Sequence, residues 1–548
     1  MKEFVLKIRN FWREFLLVII SVALYVPKLG YSYVQPTDPV WVQRGIQFYE
    51  ALRHGDFAGT YTKYHPGVIL MWITGISYKI FYAYQEVRFG YVRDLFLYQV
   101  DLYATYSFIA KALIVGVIMV ILSYCYIIIR KLINPTFAFW VAFFIITEPF
   151  IVGNVRSIHV DALAAFFMFA AVISFWAFLL DKSYRTYLVL TGVFTGLALL
   201  TKISSLVLFP FFAVASIGTV SLEGRSRVKS YLTVLLILVF ISFLAFVVLF
   251  PAMWANPAGT INKIVSDGFL DTALNEESSR IVLLSWSSSS LLYKYGAYIL
   301  QLVFRMTPAF FIFSLFGILV FSRNFFGFRD SDLEIEKSKN SRPIMFLLVY
   351  GLIFIVGYYT MISIPDKKIF RYILPLYPFL AIFASYAVSA VYSKVRPYRS
   401  RTMICAVATA FIVGFQLWQP LSVYPNFFAY FNPLLGGIES ASKVISLNQD
   451  ATGYYMVGEY LNQKSDVENL VLGCYDSGPM SAYFRGHTVK LKLVGIDKSY
   501  GENLDYVLLP VQEGWQYLPK DQYVLERIFR INNFDYWYLF IRKTEVSS

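Results

Sequence analysis

The sequence predicts a polytopic, mainly α-helical membrane protein with a small C-terminal α/β unit outside the membrane. Three observations predict it. Of 548 residues, 57% are hydrophobic and 15% charged, with a mean hydropathy of +0.56; a soluble globular chain is about 45–50% apolar and about 25% charged. Many apolar runs approach the roughly 20 residues that cross a bilayer. The basic residues gather in short stretches between those runs, the pattern that orients a chain in a membrane. The formal net charge of +13 is therefore loop charge, and nucleic acid is not an expected partner.

The elements follow in order. Lys2, Lys7, Arg9 and Arg13 precede an apolar run. The run lacks a small-residue cleavage site, so it reads as an uncleaved first span rather than a signal peptide. Spans are expected over 15–33, 107–129, 137–153, 160–180, 187–201, 204–220, 231–254, 298–321, 345–361, 372–392 and 403–418, about eleven crossings. With a cytoplasmic N-terminus, the even-numbered connections hold Arg130 and Lys131, then Lys182 and Arg185, then Arg225, Arg227 and Lys229, then the 323–342 loop, then Lys394, Arg396, Arg399 and Arg401. All are basic, as cytoplasmic loops should be. A further span over 68–84 would turn every later basic loop outward. The 66–84 stretch is therefore expected as an amphipathic helix in the outer interface, with Trp72, Tyr78, Tyr82 and Tyr84 at headgroup depth.

The outer face then receives 34–106, 154–159, the Lys202 turn, 255–297 and 363–371. Residues 1–418 form the expected membrane part, with the outer loop 34–106, and 419–548 the outer α/β unit. In that unit 468–474, 504–511 and 536–541 read as strands and 454–462 as a helix. Gly192 and Gly196 make a small-xxx-small spacing that reads as helix packing. Cys125 and Cys405 lie in apolar runs and Cys474 stands alone, which gives neither a disulfide framework nor a metal cluster.

Ionisable groups at membrane depth are costly and default to functional candidates. Asp38, His65, Arg156, His159, Asp161, Lys202 and Arg371 all fall near the outer ends of spans. Each alone reads equally as a snorkelling anchor. As a set they suit an anionic headgroup and a nucleophile to be deprotonated, since Arg156, Asp161 and Lys202 lie too deep for rim charges. Asp38 in Thr37-Asp38-Pro39 also reads as a helix N-cap, and Asp161 as a group that orients Arg156. His54 and Asp56 read as turn residues. The spacing of His54, His65 and His159 carries no metal signature, and no cofactor is expected. The absence of a P-loop argues against ATP-driven transport. Trp286 and 287–290 either border a substrate or form a flexible loop.

Several stretches together resemble a known superfamily. They are Thr37-Asp38-Pro39 followed by Arg53-His54-Gly55-Asp56-Phe57, the turn Tyr64-His65-Pro66-Gly67, Arg156-Ser-Ile-His-Val-Asp161, and the run from Gly196 to Lys202. Lys368-Ile-Phe-Arg371 and Tyr424-Pro-Asn-Phe-Phe-Ala-Tyr-Phe-Asn-Pro433 extend the match. Over about the first 435 residues the chain resembles the GT-C superfamily, and within it the protein O-mannosyltransferase and lipid A aminoarabinose-transferase type. There are departures. Pro39 stands where the family often has a second carboxylate, and His65 where a Lys commonly meets lipid phosphate. The Trp-Trp-Asp motif of oligosaccharyltransferase catalytic subunits is missing.

The resemblance implies a glycosyltransferase that takes sugar from a polyprenyl- or dolichyl-phosphate carrier. Its acceptor is a hydroxyl on a protein, lipid or glycan, at the outer face of the plasma membrane, and transfer inverts the anomeric centre. It implies Asp38 as the general base and Lys202, Arg156 and Arg371, with His65, as holders of the donor phosphate. Asp161, His159 and Tyr64 support them. The competing functions are a lipid-linked-sugar flippase or polysaccharide transporter, which should show midplane polar groups and internal repeats, and an inactive glycan-binding scaffold.

Overall fold

Interruptions in the apolar runs set the architecture as much as the runs do. The computed structural model describes residues 2–31, 34, 36–63, 65–93, 100–181, 185–274, 290–325, 341–365, 368–395, 402–445, 447, 451–491, 504–512, 518–519 and 521–543. Tyr64, Trp286 and 287–289 lie outside them.

The first helices are α1 (Lys2–Tyr25), α2 (Asp38–Arg53), α3 (Val68–Phe89), α4 (Val100–Leu132), α5 (Pro135–Thr147), α6 (Pro149–Val155), α7 (Val160–Leu180), α8 (Arg185–Thr201), α9 (Leu208–Glu223) and α10 (Val228–Leu249). Asn134 caps α5 by accepting from the Phe137 N–H at 2.8 Å, and Pro135 fills the first position, a favoured start because its missing N–H would be unpaired there anyway. Pro149 follows Glu148, cannot donate to the preceding turn, and the run bends by 68° between α5 and α6.

Among the described residues, seven helices are long and apolar enough to cross a membrane, or nine if each of two bent pairs counts as one span. The chain is a multi-pass membrane protein. The other two expected crossings are α8, which has 17 residues, and α1, whose last eighteen residues still carry Arg9, Arg13 and Glu14. The 298–321 run is split at Met306 and Thr307 into helices Leu291–Arg305 and Pro308–Phe325.

The α3 stretch is helical as expected and is not among the spans. It packs flat against α2: a Cβ on Gly45 would fall 1.9 Å from Thr74 Oγ1, so only glycine lets the two backbones meet. Trp72 donates its indole N–H to the Leu249 carbonyl at 2.9 Å, tying α3 to the end of α10. Gly192 and Gly196 do the same for α8 and α10, where added Cβ atoms would meet Ile241 Cβ at 2.6 Å and Ala245 Cβ at 2.7 Å. Such close approach is how helices associate in lipid. At the centre stands α7, apolar on every side, as a fully enclosed helix should be.

The C-terminal unit holds a five-stranded sheet ordered β2-β1-β3-β5-β4. Its strands are β1 (Val471–Cys474), β2 (His487–Lys490), β3 (Tyr506–Pro510), β4 (Tyr523–Ile531) and β5 (Phe534–Arg542). β1 pairs in parallel with β2 and β3, while β5 runs antiparallel to β3 and β4. The expected strands and helix correspond to β1, β3, β5 and helix Tyr454–Leu461. β2 and β4 went unread, although Asn532 and Asn533, both left-handed at φ 51° and 63°, are the residues a two-residue hairpin turn selects. The core of this unit, including Leu472, Leu508, Leu539 and Val457, continues into Val34, Tyr103 and Ala429. The sheet unit therefore rests on the first outer segment.

Candidate active site

A helix that starts inside a protein must satisfy its first N–H groups, and its positive end favours an anion. Asp161 is the second residue of α7, 3% exposed. Its Oδ1 accepts from Lys202 Nζ at 2.5 Å. Its Oδ2 accepts from Arg371 Nε at 3.0 Å and lies 3.0 Å from His159 Nδ1. The three partners come from separate elements. Lys202 follows α8 in extended conformation, with φ −153°, which turns the side chain back under the helix end; its ammonium sits 3.9 Å from the Tyr372 ring centre. Arg371 belongs to the short 3₁₀ segment Phe370–Leu376. His159 precedes α7.

Arg371 Nη2 approaches His159 Nε2 at 3.4 Å. A guanidinium only donates, so Nε2 accepts and the proton rests on Nδ1, facing Asp161. The 3.3 Å contact of the Asp161 N–H with Nδ1 is then not a hydrogen bond. Burial first, and the Arg371 charge next, push the His159 imidazole down to about 4, so it is neutral near pH 7. Among the described residues one carboxylate thus meets two cations, all three side chains less than a tenth exposed.

Asp38 is wholly buried and is the first residue of α2, followed by Pro39. Thr37 takes the cap position without a side-chain cap bond, so Asp38 sits in the first turn, where a negative charge is favoured. Lys111 of α4, also wholly buried, lies within charge–charge reach of Asp38 and Arg156.

Trp41, one turn after Asp38, joins this part to the cluster. Its ring meets His159 edge-on at 6.2 Å, and Arg44 lies 4.7 Å over it. The turn through His65 presses against the same ring: Gly67 has φ +58°, and a Cβ there would fall 2.2 Å from Trp41. Both facts require glycine.

Arg156 does something different. Its Nη1 donates to the Leu24 carbonyl at 2.9 Å and Nη2 to the Pro27 carbonyl at 2.8 Å, with its plane over Phe427 at 5.3 Å. These are carbonyls at the end of α1, which need donors once buried. Lys368 closes the Ser341–Ser363 helix in the same way, through the Ser363 and Pro365 carbonyls at 2.7 and 2.8 Å. The Asp161 carboxylate engages Lys202, Arg371 and His159, whereas the sequence suggested Arg156 for it. His54 bonds the Glu50 carbonyl at 2.8 Å and Asp56 the Gly59 N–H at 2.9 Å, as turn residues do. Among the described residues no group of three His, Cys, Asp or Glu could hold a metal.

Sequence reasoning missed Lys111 and a third buried acid, Glu148. The signal was present in each case: a single charge inside an otherwise apolar window.

Residues 95–264 match the family model described as dolichyl-phosphate-mannose-protein mannosyltransferase. That segment holds Lys111, the Arg156–Asp161 motif and Lys202, and the resemblance read from the motifs stands there. No curated protein sequence matches the chain. Among solved structures, ArnT from Cupriavidus metallidurans bound to undecaprenyl phosphate is 12% identical over 98% of this chain and 99% of that one, with a TM-score of 0.45. The Archaeoglobus fulgidus oligosaccharyltransferase tethered to an acceptor peptide is 14% identical over 92% and 69%, with a TM-score of 0.46. AglB from the same organism, in complex with an inhibitory peptide and a dolichol-phosphate, is 12% identical over 92% and 70%, with a TM-score of 0.48.

Proposed function

We propose that the chain is a membrane glycosyltransferase that moves a sugar from a polyprenyl- or dolichyl-phosphate carrier to a hydroxyl acceptor on the outer membrane face. One observation carries the reading. A buried carboxylate holds a lysine and an arginine, and the imidazole beside it meets a tryptophan one turn after a second buried aspartate. A sugar-phosphate-lipid is a phosphodiester anion, and a lysine and an arginine held side by side are the donors that suit it.

The chemistry follows from the bond that breaks. The acceptor oxygen attacks the anomeric carbon from the face opposite the phosphate. The C–O bond to phosphate breaks, its electron pair stays on that oxygen, and the centre inverts. The leaving group is already acidic and needs positive charge, which Lys202 and Arg371 supply as it grows. Asp38 takes the acceptor proton, a step worth about 10²–10⁴-fold, and Lys111 balances its charge beforehand. Asp161 and His159 hold the cations in place, and His65 joins the phosphate side. Arg156 braces α1 against this floor. Residues 1–418 form the catalytic part and 419–548 the outer unit, with the N-terminus in the cytoplasm of a plasma membrane.

The test is to incubate purified protein with a panel of polyprenyl- and dolichyl-phosphate sugars, dolichyl-phosphate mannose included, and Ser/Thr peptides, lipids and glycans as acceptors. Release of lipid phosphate, lost in Asp38→Asn, supports the reading. Sugar–lipid carried across vesicles without cleavage refutes it.

A further inference from the structure

The outer unit reaches Asp38. Helix Ser477–Ser481 packs on the start of α2, where a Cβ on Gly478 would sit 3.8 Å from Pro39 Cγ. Two residues beyond that helix stands Tyr483, 6% exposed. Its backbone is held fast: the N–H donates to the Met480 carbonyl at 3.0 Å, and its carbonyl accepts from Asn462 Nδ2 at 2.8 Å. Its ring meets Tyr455 edge-on at 6.4 Å, and Gly458 lies so close that a Cβ would come within 2.6 Å of Tyr483 Cβ.

Everything about this residue is positioned except its hydroxyl, which is buried without a hydrogen-bond partner among the described residues. Such a group is costly and rare in a folded protein. Burial first, and the Asp38 charge next, hold the phenol well above the usual tyrosine range, so at neutral pH it is a proton donor within charge–charge reach of a candidate base.

We propose that Tyr483 is a positioning residue for the acceptor: its O–H donates to a polar atom of the incoming hydroxyl compound and aims that compound at Asp38. The outer unit thereby completes the acceptor side, while the cation cluster serves the donor side. This rests on the glycosyl-transfer reading above, and Tyr483→Phe separates the two. The variant removes one oxygen and keeps the ring. It should raise the acceptor KM or lower kcat/KM for transfer about 10–100-fold. Donor hydrolysis, in which water is the acceptor, should remain within twofold of the parent, and thermal stability should be equal or higher, because an unpartnered buried polar group is gone.

Unchanged transfer in Tyr483→Phe, with Asp38→Asn inactive, overturns the assignment and leaves the base in place. An equal fall in transfer and hydrolysis, or a lowered melting temperature, also overturns it, since Tyr483 would then be supporting the fold or the base. Failure of the parent protein to release lipid phosphate from any donor in the panel overturns the underlying reading, and this one with it.

Discussion

Two buried carboxylates, Asp161 and Glu148, lie at opposite ends of one short stretch, and the protein treats them oppositely. Asp161 meets a lysine, an arginine and an imidazole. Glu148, wholly buried at the α5–α6 bend, is met by neutral donors. The Thr307 N–H donates to Oε1 at 3.1 Å and the Thr307 hydroxyl sits 2.9 Å from Oε2, with Gln416 2.9 Å from that hydroxyl. Neutral donors fix a bend in the backbone. Two cations gathered on one acid are what the proposed anion site uses. Burial alone does not mark a site; the sign and number of the partners do.

The sharpest way to break this contrast is Asp161→Asn, which leaves two buried cations facing each other. Transfer should vanish, and stability should fall by about 3–5 kcal/mol, the usual effect of removing one partner from a buried ion pair; turnover and thermal unfolding read both. Next comes Asp38→Asn, with transfer down about 10²–10⁴-fold at unchanged donor affinity; undiminished turnover would remove Asp38 from the mechanism. Lys202→Ala should weaken donor binding about 10–100-fold, the equivalent of a charge-assisted hydrogen bond of about 1.5–3 kcal/mol. Titration with a polyprenyl phosphate measures it, and an unmoved Kd would refute the phosphate role. Glu148→Gln should do least: its amide oxygen still accepts from Thr307, so stability should drop by under about 1.5 kcal/mol and transfer should persist. Loss of transfer in a well-folded Glu148→Gln protein would erase the distinction drawn between the two acids.

Much of this arrangement was legible in the chain. Asp161, Lys202, His159 and Arg371 were all singled out because charge at membrane depth is rare. Their pairing was not legible. Arg156 and Asp161 are five residues apart in sequence, yet a turn and the start of α7 separate them, and the end of α1 draws the guanidinium away through the Leu24 and Pro27 carbonyls. Which helix ends arrive buried and short of donors is a tertiary fact, absent from any local pattern. The central place of α7 was hidden for a related reason. That helix is less hydropathic than α10, yet it is almost wholly buried whereas α10 is largely exposed. Lipid and protein interior are equally apolar, so hydropathy cannot tell them apart. The sequence carries no strand signal for β4 because its charges, Glu526, Arg527 and Arg530, interrupt the apolar alternation.

The 17 residues of α8 rise about 25 Å, while a typical hydrocarbon layer is about 30 Å thick. On the proposed reading, with α8 crossing the bilayer and Lys202 at its outer end, the lipid phosphate meets Lys202 below the usual headgroup level, by sinking or by the bilayer pinching inward. Turnover should consequently respond to acyl-chain length, slowing in vesicles of longer-tailed phospholipids even though no residue of the protein has changed.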